Sequence, residues 1–389
     1  MLSIKYIILS QYLYTPASME IYKRLMLIFA MIIFIYITFR FLRRRREISH
    51  LRNKIHIEGL KNKDKCKNAT CAGNDLDRVE GFGSPEAEYN NLIEPNPVSI
   101  TSMSKEYIDQ PLKEYVIKGS YNSAITGNYV NTEMVKYVLT RGCRYLDFEV
   151  LYIDEKPFVT YTTDNKFETI KTENKIVLDR ILTSVVAQAF TQPIPNFEDP
   201  LFIHLRLKSN DVNIYKSVAK SIDATLRGKL YSKKITDATK LSDVMGKIVV
   251  VMDKPINRKY ENDSMCKGSD KDCYKLTNYI NLDSGSETLY QNTYTDILNQ
   301  SYTPVNMKDK CDICTDVKHN RMVVPDKMDN TSNPNTYELI GNHGCQVVMC
   351  RFYIKDDNLY NYEKLFDDNK GGIVPLLFAS DYIKKEGTK

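Results

Sequence analysis

An alternation of short apolar strands and amphipathic helices between residues 106 and 255 constrains the fold of this chain more than any other feature. Helical periodicity covers Ile176–Ala189 and Val212–Leu226. Apolar runs of strand length surround these two segments: Glu114–Ser120, Tyr145–Leu151, Pro157–Thr162, Leu201–Leu207 and Lys247–Asp253. Because parallel strands need a long crossover connection, usually a helix, this alternation predicts an α/β fold with a parallel sheet or barrel.

Two polar segments, 256–275 and 290–320, interrupt the pattern. Further strands are predicted at Leu276–Leu282, Arg321–Val324 and Gly344–Phe352. The interruptions favour a fold that is assembled from two halves, with no internal repeat between them.

The N-terminal region contains one long apolar run, Leu25–Phe39, which snorkelling of Arg40 extends to residue 42. About eighteen residues is the short end of what crosses ~30 Å of hydrocarbon. Arg43–Arg46 follow in place of a small-residue cleavage site, so a retained anchor is favoured over a cleaved signal peptide. We therefore expect a single-pass transmembrane helix over 25–42, with the bilayer as a partner and the folded domain in the cytosol. Met1 and Met19 are alternative start positions.

Positive charge is concentrated near this segment. The 389-residue chain has a formal net charge of +5, and residues 1–50 alone carry eight Lys or Arg against two acids. The remainder therefore has no basic excess, which argues against a nucleic-acid partner. The polar stretch 47–97 has no sustained period and is typical of a flexible tether.

Nine cysteines form an odd set without the spacing of a secreted disulfide scaffold, which favours a reducing compartment. Cys311 and Cys314 have the spacing of a metal or redox pair, and Cys266 and Cys273 could complete a zinc site, but reduced surface thiols are favoured. Four Asn-x-Ser/Thr sequons would matter only in a lumenal domain: Asn68, Asn262, Asn299 and Asn330.

The segment Pro111–Gly127, with the sequence PLKEYVIKGSYNSAITG, resembles the opening of the catalytic X region of eukaryotic-type phosphoinositide-specific phospholipase C. Further segments similar to the X region follow in order at Arg141–Glu149, Pro157–Thr163, Pro200–Leu207 and Gly246–Val251. The family's second, or Y, region is resembled by Arg321–Pro325, Asn333–Asn335, Gly344–Val348 and Asn369–Gly372.

The resemblance implies a TIM-like (β/α)8 barrel split by an X/Y linker, with chemistry at the carboxyl ends of the strands. The implied organisation is an N-terminal tail 1–24, the transmembrane helix 25–42, a basic and polar linker 43–105, an X-like half-barrel 106–255, the X/Y linker 256–275, a Y-like half-barrel 276–380 and a C-terminal tail 381–389.

The family's reaction uses two histidines, and neither is present in this chain. The first falls at Tyr121, and the second at Tyr161, or at Thr163 if two residues are inserted. A tyrosine with a pKa near ~10 is a poor base at neutral pH. None of these hydroxyl side chains carries the charge that would stabilise a phosphorane. The substitutions indicate a pseudoenzyme.

The family's calcium ligands are altered as well. Asn122 is retained, and Asp147 and Glu149 occupy the two carboxylate positions of the second strand with their identities exchanged. These three are vestigial calcium positions, because the remaining family glutamate falls at Arg206. We expect the guanidinium to pair with the two acids, so that no cofactor is needed. His204 shares a strand face with Arg206, and a core histidine satisfied by its neighbours is favoured over a replacement base.

The expected substrate pocket combines Asn122 and Arg206 with Ser284, which resembles the family's headgroup-binding serine, and Arg321, one position from the family arginine. The function expected is a membrane-anchored phospholipase C-like scaffold or a module that binds a phosphoinositide headgroup or a protein. The alternative is an atypical, calcium-independent phosphatidylinositol phosphodiesterase. A different imidazole within bonding distance of the pocket formed by Asn122 and the paired acids would overturn the pseudoenzyme interpretation.

Overall fold

The computed structural model describes residues 31, 36, 84–94, 96–257, 260–262, 273–308, 311–327 and 332–387. Met31 and Tyr36 are helical, but the rest of the predicted transmembrane helix 25–42 lies outside the described residues. Among the described residues, no helix has both the length and the apolar character needed to span a bilayer.

The strands are β1 Tyr115–Ser120, β2 Tyr145–Ile153, β3 Lys156–Val159, β4 Ile176–Val177, β5 Leu201–Lys208, β6 Ile248–Asp253, β7 Leu282–Ser284, β8 Tyr290–Thr293, β9 Arg321–Val324, β10 Val347–Cys350 and β11 Ile373–Pro375. The α-helices are α1 Pro85–Leu92, α2 Thr132–Thr140, α3 Leu178–Ala189, α4 Asn213–Leu226, α5 Leu241–Val244, α6 Tyr294–Leu298, α7 Thr336–His343, α8 Asp357–Asp368 and α9 Leu376–Glu386. Single 3-10 turns occur at Lys105–Tyr107, Leu112–Glu114, Tyr260–Asn262 and Leu276–Asn278.

Eight of these strands form a near-closed barrel in the order β7-β6-β5-β2-β1-β10-β9-β8. Every neighbouring pair along this path is parallel. Strand β1 pairs with β10, matching Ile117 to Val347, so the N-terminal and C-terminal halves share one sheet. The TIM-like α/β barrel predicted from the sequence is confirmed.

Period-2 alternation along β2 decides which of its side chains face the barrel interior. Leu146, Phe148 and Val150 belong to the large apolar cluster that includes the surrounding helices. Tyr145 belongs to a second cluster, which fills the barrel interior. Since alternate residues share a face, Asp147 and Glu149 point into the interior with Tyr145.

Two predicted strands differ from those observed. Pro157–Thr162 does contribute β3, but β3 is antiparallel to β2 and lies off the barrel path. The reason is the two-residue turn Asp154-Glu155, with positive φ at both positions, which folds the chain straight back as a hairpin. In the second half, Leu276–Leu282 is largely a 3-10 turn followed by loop. The eighth barrel strand, β8, lies instead in the segment interpreted as a polar insertion.

Two predicted boundaries also need correction. The compact unit that contains the barrel begins at Gly81, so a linker 43–105 extends too far. Ile100 is buried in the large apolar cluster, and helix α1 contacts the loop after β1. The predicted tail 381–389 begins inside α9, because the amphipathic pattern continues to Glu386.

Candidate functional site

The two acids of β2 meet a cation from β5 at the carboxyl ends of the strands. The parallel register places Asp147 beside His204 and Glu149 beside Arg206. The Arg206 guanidinium donates from Nε to Asp147 Oδ1 at 2.9 Å and from Nη2 to Oδ2 at 2.8 Å. Its Nη1 donates to Glu149 Oε2 at 2.6 Å. The ion pairing predicted for Arg206 is therefore confirmed.

Asn122 completes this cluster from the turn after β1. Its φ of 47° is in the left-handed region, which asparagine tolerates better than most residues. In this conformation its backbone N–H donates to Asp147 Oδ2 at 2.9 Å. Its side-chain Oδ1 accepts from Arg206 Nη2 at 2.6 Å. Asn122, which the resemblance places among the family's calcium ligands, thus binds the guanidinium.

The charges of the cluster stabilise one another. Burial disfavours the ionised form of Asp147, but the charge of Arg206 and the hydrogen bond with His204 outweigh burial and hold the Asp147 pKa well below its usual range. Burial likewise opposes the charge of Arg206, yet the neighbouring carboxylates raise its pKa above the ordinary value. Lys208 Nζ lies 2.9 Å from Glu149 Oε1, so two bases balance two acids.

These residues do not fit a calcium ion. A guanidinium has five N–H donors, and the contacts with Asp147, Glu149 and Asn122 use four of them. Calcium takes six to eight oxygen ligands, whereas here both carboxylates already bind cations and Arg206 would lie against the metal. In the described part of the chain, no group of His, Cys, Asp and Glu side chains is arranged to hold a metal.

The residues that the resemblance places at the family histidine positions have hydroxyl side chains, which are poorly suited to proton transfer. Tyr121 is 5% exposed, and its ring centroid lies 4.3 Å from the Arg206 guanidinium carbon. Burial raises the pKa of Tyr121 far above that of a free phenol, so it remains protonated at neutral pH. Tyr161 is half-buried with a pKa that burial also raises, and Thr163 is exposed.

His204 lies next to this cluster. Its Nδ1 is 2.8 Å from Asp147 Oδ1, and its Nε2 is 2.9 Å from Ser284 Oγ. The His204 imidazole therefore lies within hydrogen-bonding distance of Asp147, which is the condition stated above against the pseudoenzyme interpretation. However, both ring nitrogens have partners and the side chain is 0% exposed. The prediction of a core histidine satisfied by its neighbours is confirmed.

Ser284 and Arg321 do not form the pocket expected from the sequence. Ser284 is fully buried at the end of β7, where its hydroxyl contacts His204. Arg321 donates to His343 O and Thr303 Oγ1, each at 3.1 Å. The prediction for Arg321 is wrong because this residue begins β9, and the first residues of parallel strands lie at the end of the barrel opposite the site.

Two residues of the site were missed by the sequence reasoning. Lys208 follows Arg206 by two positions, so period-2 alternation would have placed it on the same face. Arg351 comes directly after β10, and its guanidinium carbon lies 5.7 Å from the Tyr121 ring centroid. The rule that functional side chains follow the carboxyl ends of barrel strands would have found Arg351.

The strand order defines a TIM-like barrel with a polar cluster at the carboxyl ends of its strands. Residues 108–254 match the family model described as "Phosphatidylinositol-specific phospholipase C, X domain". No curated protein sequence matches this chain. The match ends before β7, so the Y-like half stays a prediction from sequence resemblance.

Two solved structures share the fold. PLC21 from L. pealei is 17% identical with a TM-score of 0.52, over 70% of this chain and 38% of the other. PLC21 from S. officinalis is 15% identical with a TM-score of 0.50, over 75% of this chain and 40% of the other. The chain thus spans 38–40% of the length of these proteins.

Proposed function

We propose that this protein is a membrane-anchored, phosphoinositide phospholipase C-like pseudoenzyme whose barrel serves as a scaffold or as a module that binds a lipid headgroup or a protein. The observation that carries this proposal is the position of Arg206, bound to Asp147, Glu149 and Asn122 at the vestigial calcium positions. The predicted helix 25–42 supplies the membrane attachment in this proposal.

The chemistry supports inactivity. Losing one positioned acid–base group typically removes a factor of about 10² to 10⁴ in rate. Two such groups are replaced here, and the phenol of Tyr121 cannot accept a proton at neutral pH because burial raises its pKa. The two carboxylates that bind the Arg206 guanidinium also compensate its positive charge, so it would stabilise a negatively charged phosphorane only weakly.

The pairing of the basic side chains with the two acids also limits which ligands the site can bind. Arg206 has one N–H outside the contacts described above, so it cannot bind a phosphate through two parallel hydrogen bonds without releasing a carboxylate. Lys208 is bound to Glu149. Arg351 adds one more positive charge beside Tyr121, so a polyphosphorylated headgroup would meet a site with only one net positive charge, which favours a protein partner or a weakly charged headgroup.

One observation favours the alternative, a calcium-independent phosphatidylinositol phosphodiesterase. Ser284, His204 and Asp147 form a hydroxyl–imidazole–carboxylate relay of the kind that activates nucleophiles in hydrolases. For catalysis, His204 would have to become accessible from the carboxyl ends of the strands, past Arg206. The relay supplies the base that the family positions lack.

The test is to incubate the purified full-length chain with phosphatidylinositol and with its bisphosphate, each with and without calcium. We expect release of cyclic or open inositol phosphate to equal the blank, while an active phospholipase C assayed in parallel releases product. Arg206→Ala and His204→Ala should match the unmodified protein. Release above the blank that either substitution abolishes would establish the enzyme alternative, and micromolar calcium binding by calorimetry would reject the replacement of the metal by Arg206.

A further inference from the structure

The cysteines of the described residues divide by burial into free and oxidised side chains. Cys143, Cys345 and Cys350 are buried free thiols. Cys311 and Cys314 are partly exposed and joined by a disulfide. Cys273, also partly exposed, is disulfide-bonded as well. In this part of the chain, every cysteine that solvent reaches is oxidised, although the sequence favoured a reducing compartment.

The Cys311–Cys314 disulfide belongs to a packed part of the structure. Ile313, between the two cysteines, is buried in the apolar cluster of the barrel interior. Immediately after them, Thr315 donates from its backbone N and from Oγ1 to the buried Glu114 carboxylate, both at 2.8 Å. The pair is therefore part of the packed fold, and structural disulfides persist in oxidising compartments and are rare in the cytosol, where paired cysteines are usually catalytic or redox-sensing.

An N-glycosylation sequon lies in an exposed part of the same half of the molecule. Asn299, Gln300 and Ser301 follow α6 directly, and all three are exposed. The flanking side chains Leu298 and Tyr302 are 46% and 67% exposed. A glycan on Asn299 would cover these two apolar side chains while projecting into open solvent.

This sequon is remote from the candidate site. Thr303, two residues beyond Ser301, donates its backbone N–H to Asn342 O, and its hydroxyl accepts from the guanidinium of Arg321. Arg321 begins β9, so this loop lies at the amino ends of the strands, whereas Arg206 lies at their carboxyl ends. A glycan at Asn299 would leave the ligand-binding end of the barrel open.

We propose that the barrel folds in an oxidising compartment, on the lumenal or extracellular side of the membrane, and carries an N-linked glycan on Asn299. The positive-inside rule, applied to Arg43–Arg46, instead places the barrel in the cytosol. That rule uses only the charges next to the apolar segment, whereas the oxidised cysteines belong to the barrel itself. Anionic phosphatidylinositol lipids face the cytosol, so this placement would favour a protein partner.

The test uses the full-length chain expressed in eukaryotic cells and digested with peptide N-glycosidase F. We expect digestion to increase gel mobility. Before digestion, the Ser301→Ala variant should migrate faster than the unmodified protein by the shift of one glycan. After digestion, the two proteins should migrate together. Ser301→Thr keeps the sequon and should migrate as slowly as the unmodified protein. Unchanged mobility on digestion would reject the lumenal placement, and a Ser301→Ala protein that runs with the unmodified one would reject Asn299 as the site.

A second measurement tests the oxidising compartment independently of glycosylation, through the redox state of the cysteines. Thiols are blocked with a maleimide during lysis in denaturant, the protein is then reduced and labelled with a second maleimide, and peptides are identified by mass spectrometry. We expect Cys311 and Cys314 to carry the second label, while Cys143 and Cys345 carry the first. First-label modification of Cys311 and Cys314 would show reduced thiols and overturn the proposal.

Discussion

Arg206 balances two buried carboxylates that would otherwise be charged and unpaired inside the barrel. Its contacts with Asp147 and Glu149 all lie between 2.6 and 2.9 Å. A buried ion pair need not stabilise a fold relative to an apolar replacement, but removing one partner leaves an uncompensated charge. Arg206 is therefore a structural requirement of the site, apart from any role in replacing a metal ion.

Arg206→Met should lower the free energy of unfolding by about 3–5 kcal/mol, because Asp147 and Glu149 lose their main partner. Chemical denaturation at neutral pH measures the change. Arg227→Met removes an exposed ion pair with Asp223 and should cost less than about 1 kcal/mol. Adding Asp147→Asn and Glu149→Gln to Arg206→Met should recover part of the loss, and no recovery would contradict the charge explanation.

Asp199 predicts a pH dependence of stability near the amino ends of the strands. It is fully buried, and burial raises its pKa to about 6, despite a hydrogen bond from the Met103 N–H and the nearby charge of Arg144. The folded state therefore binds this proton more tightly than the unfolded state, and the associated stability is present below about pH 4 and lost as pH rises to about 6.

The free energy of unfolding that Asp199 contributes, and that is lost between these pH values, is at most about 3 kcal/mol, since one pKa unit corresponds to about 1.4 kcal/mol. Asp199→Asn keeps an oxygen acceptor for Met103 but cannot titrate, so its stability should fall less between pH 4 and pH 7 than that of the unmodified protein. Urea unfolding at both pH values gives the comparison, and equal falls in the two proteins would refute the prediction.

Helix α1 has no fully buried residue and is held to the barrel by half-buried apolar side chains, Tyr89 and Leu92, together with polar contacts. Ser84 caps its first turn, with Pro85 at the first helical position. Glu88 then accepts from Asn128 N at 2.8 Å and from Thr126 Oγ1 at 3.0 Å, which fixes the helix to the loop after β1. An element attached in this way should open locally without global unfolding.

Glu88→Ala should speed amide hydrogen exchange in residues 85–92, because the carboxylate that anchors the helix is removed, while the protection of the barrel strands stays the same. Hydrogen exchange read by mass spectrometry resolves the two regions. Glu86→Ala, an exposed first-turn acid of the same helix, is the matched control. Equal exchange in the two variants would show that Glu88 does not anchor α1.

At the scale of the molecule, the two halves of the chain are joined across two seams of one sheet. Strand β6 pairs with β7 at one seam. At the other, β1 pairs with both β10 and β11. The covalent connection between the halves is therefore not what holds the barrel together.

A protease site inserted between Asn262 and Cys273 should allow the chain to be cut without separating the halves. In reducing buffer, the two fragments should co-elute on gel filtration at the volume of the uncut protein, because both seams of the sheet remain paired. They should separate only after denaturation. Two separate peaks in native buffer would contradict this account of the assembly.

The sequence by itself determined the barrel and the chemistry of its central cluster, because both depend on local patterns. Alternating strands and helices predict the parallel sheet, and period 2 along β2 places Asp147 and Glu149 on one face. The resemblance to phospholipase C, which places Arg206 at the position of a family acid, then predicts the ion pair. The resemblance to phospholipase C further predicts hydroxyl side chains, Tyr121 and either Tyr161 or Thr163, at the positions of the family's two histidines.

Only the tertiary structure decided what depends on residues distant in sequence. Period 2 puts His204 on the face of Arg206, but only the pairing of β5 with β2 and the position of β7 show that its partners are Asp147 and Ser284. The strand β8 has too little apolar sequence to be recognised, and its position follows from pairing with β9. Arg321 was assigned to the pocket from the resemblance alone, although the first residue of the predicted strand Arg321–Val324 lies at the end of the barrel opposite the site.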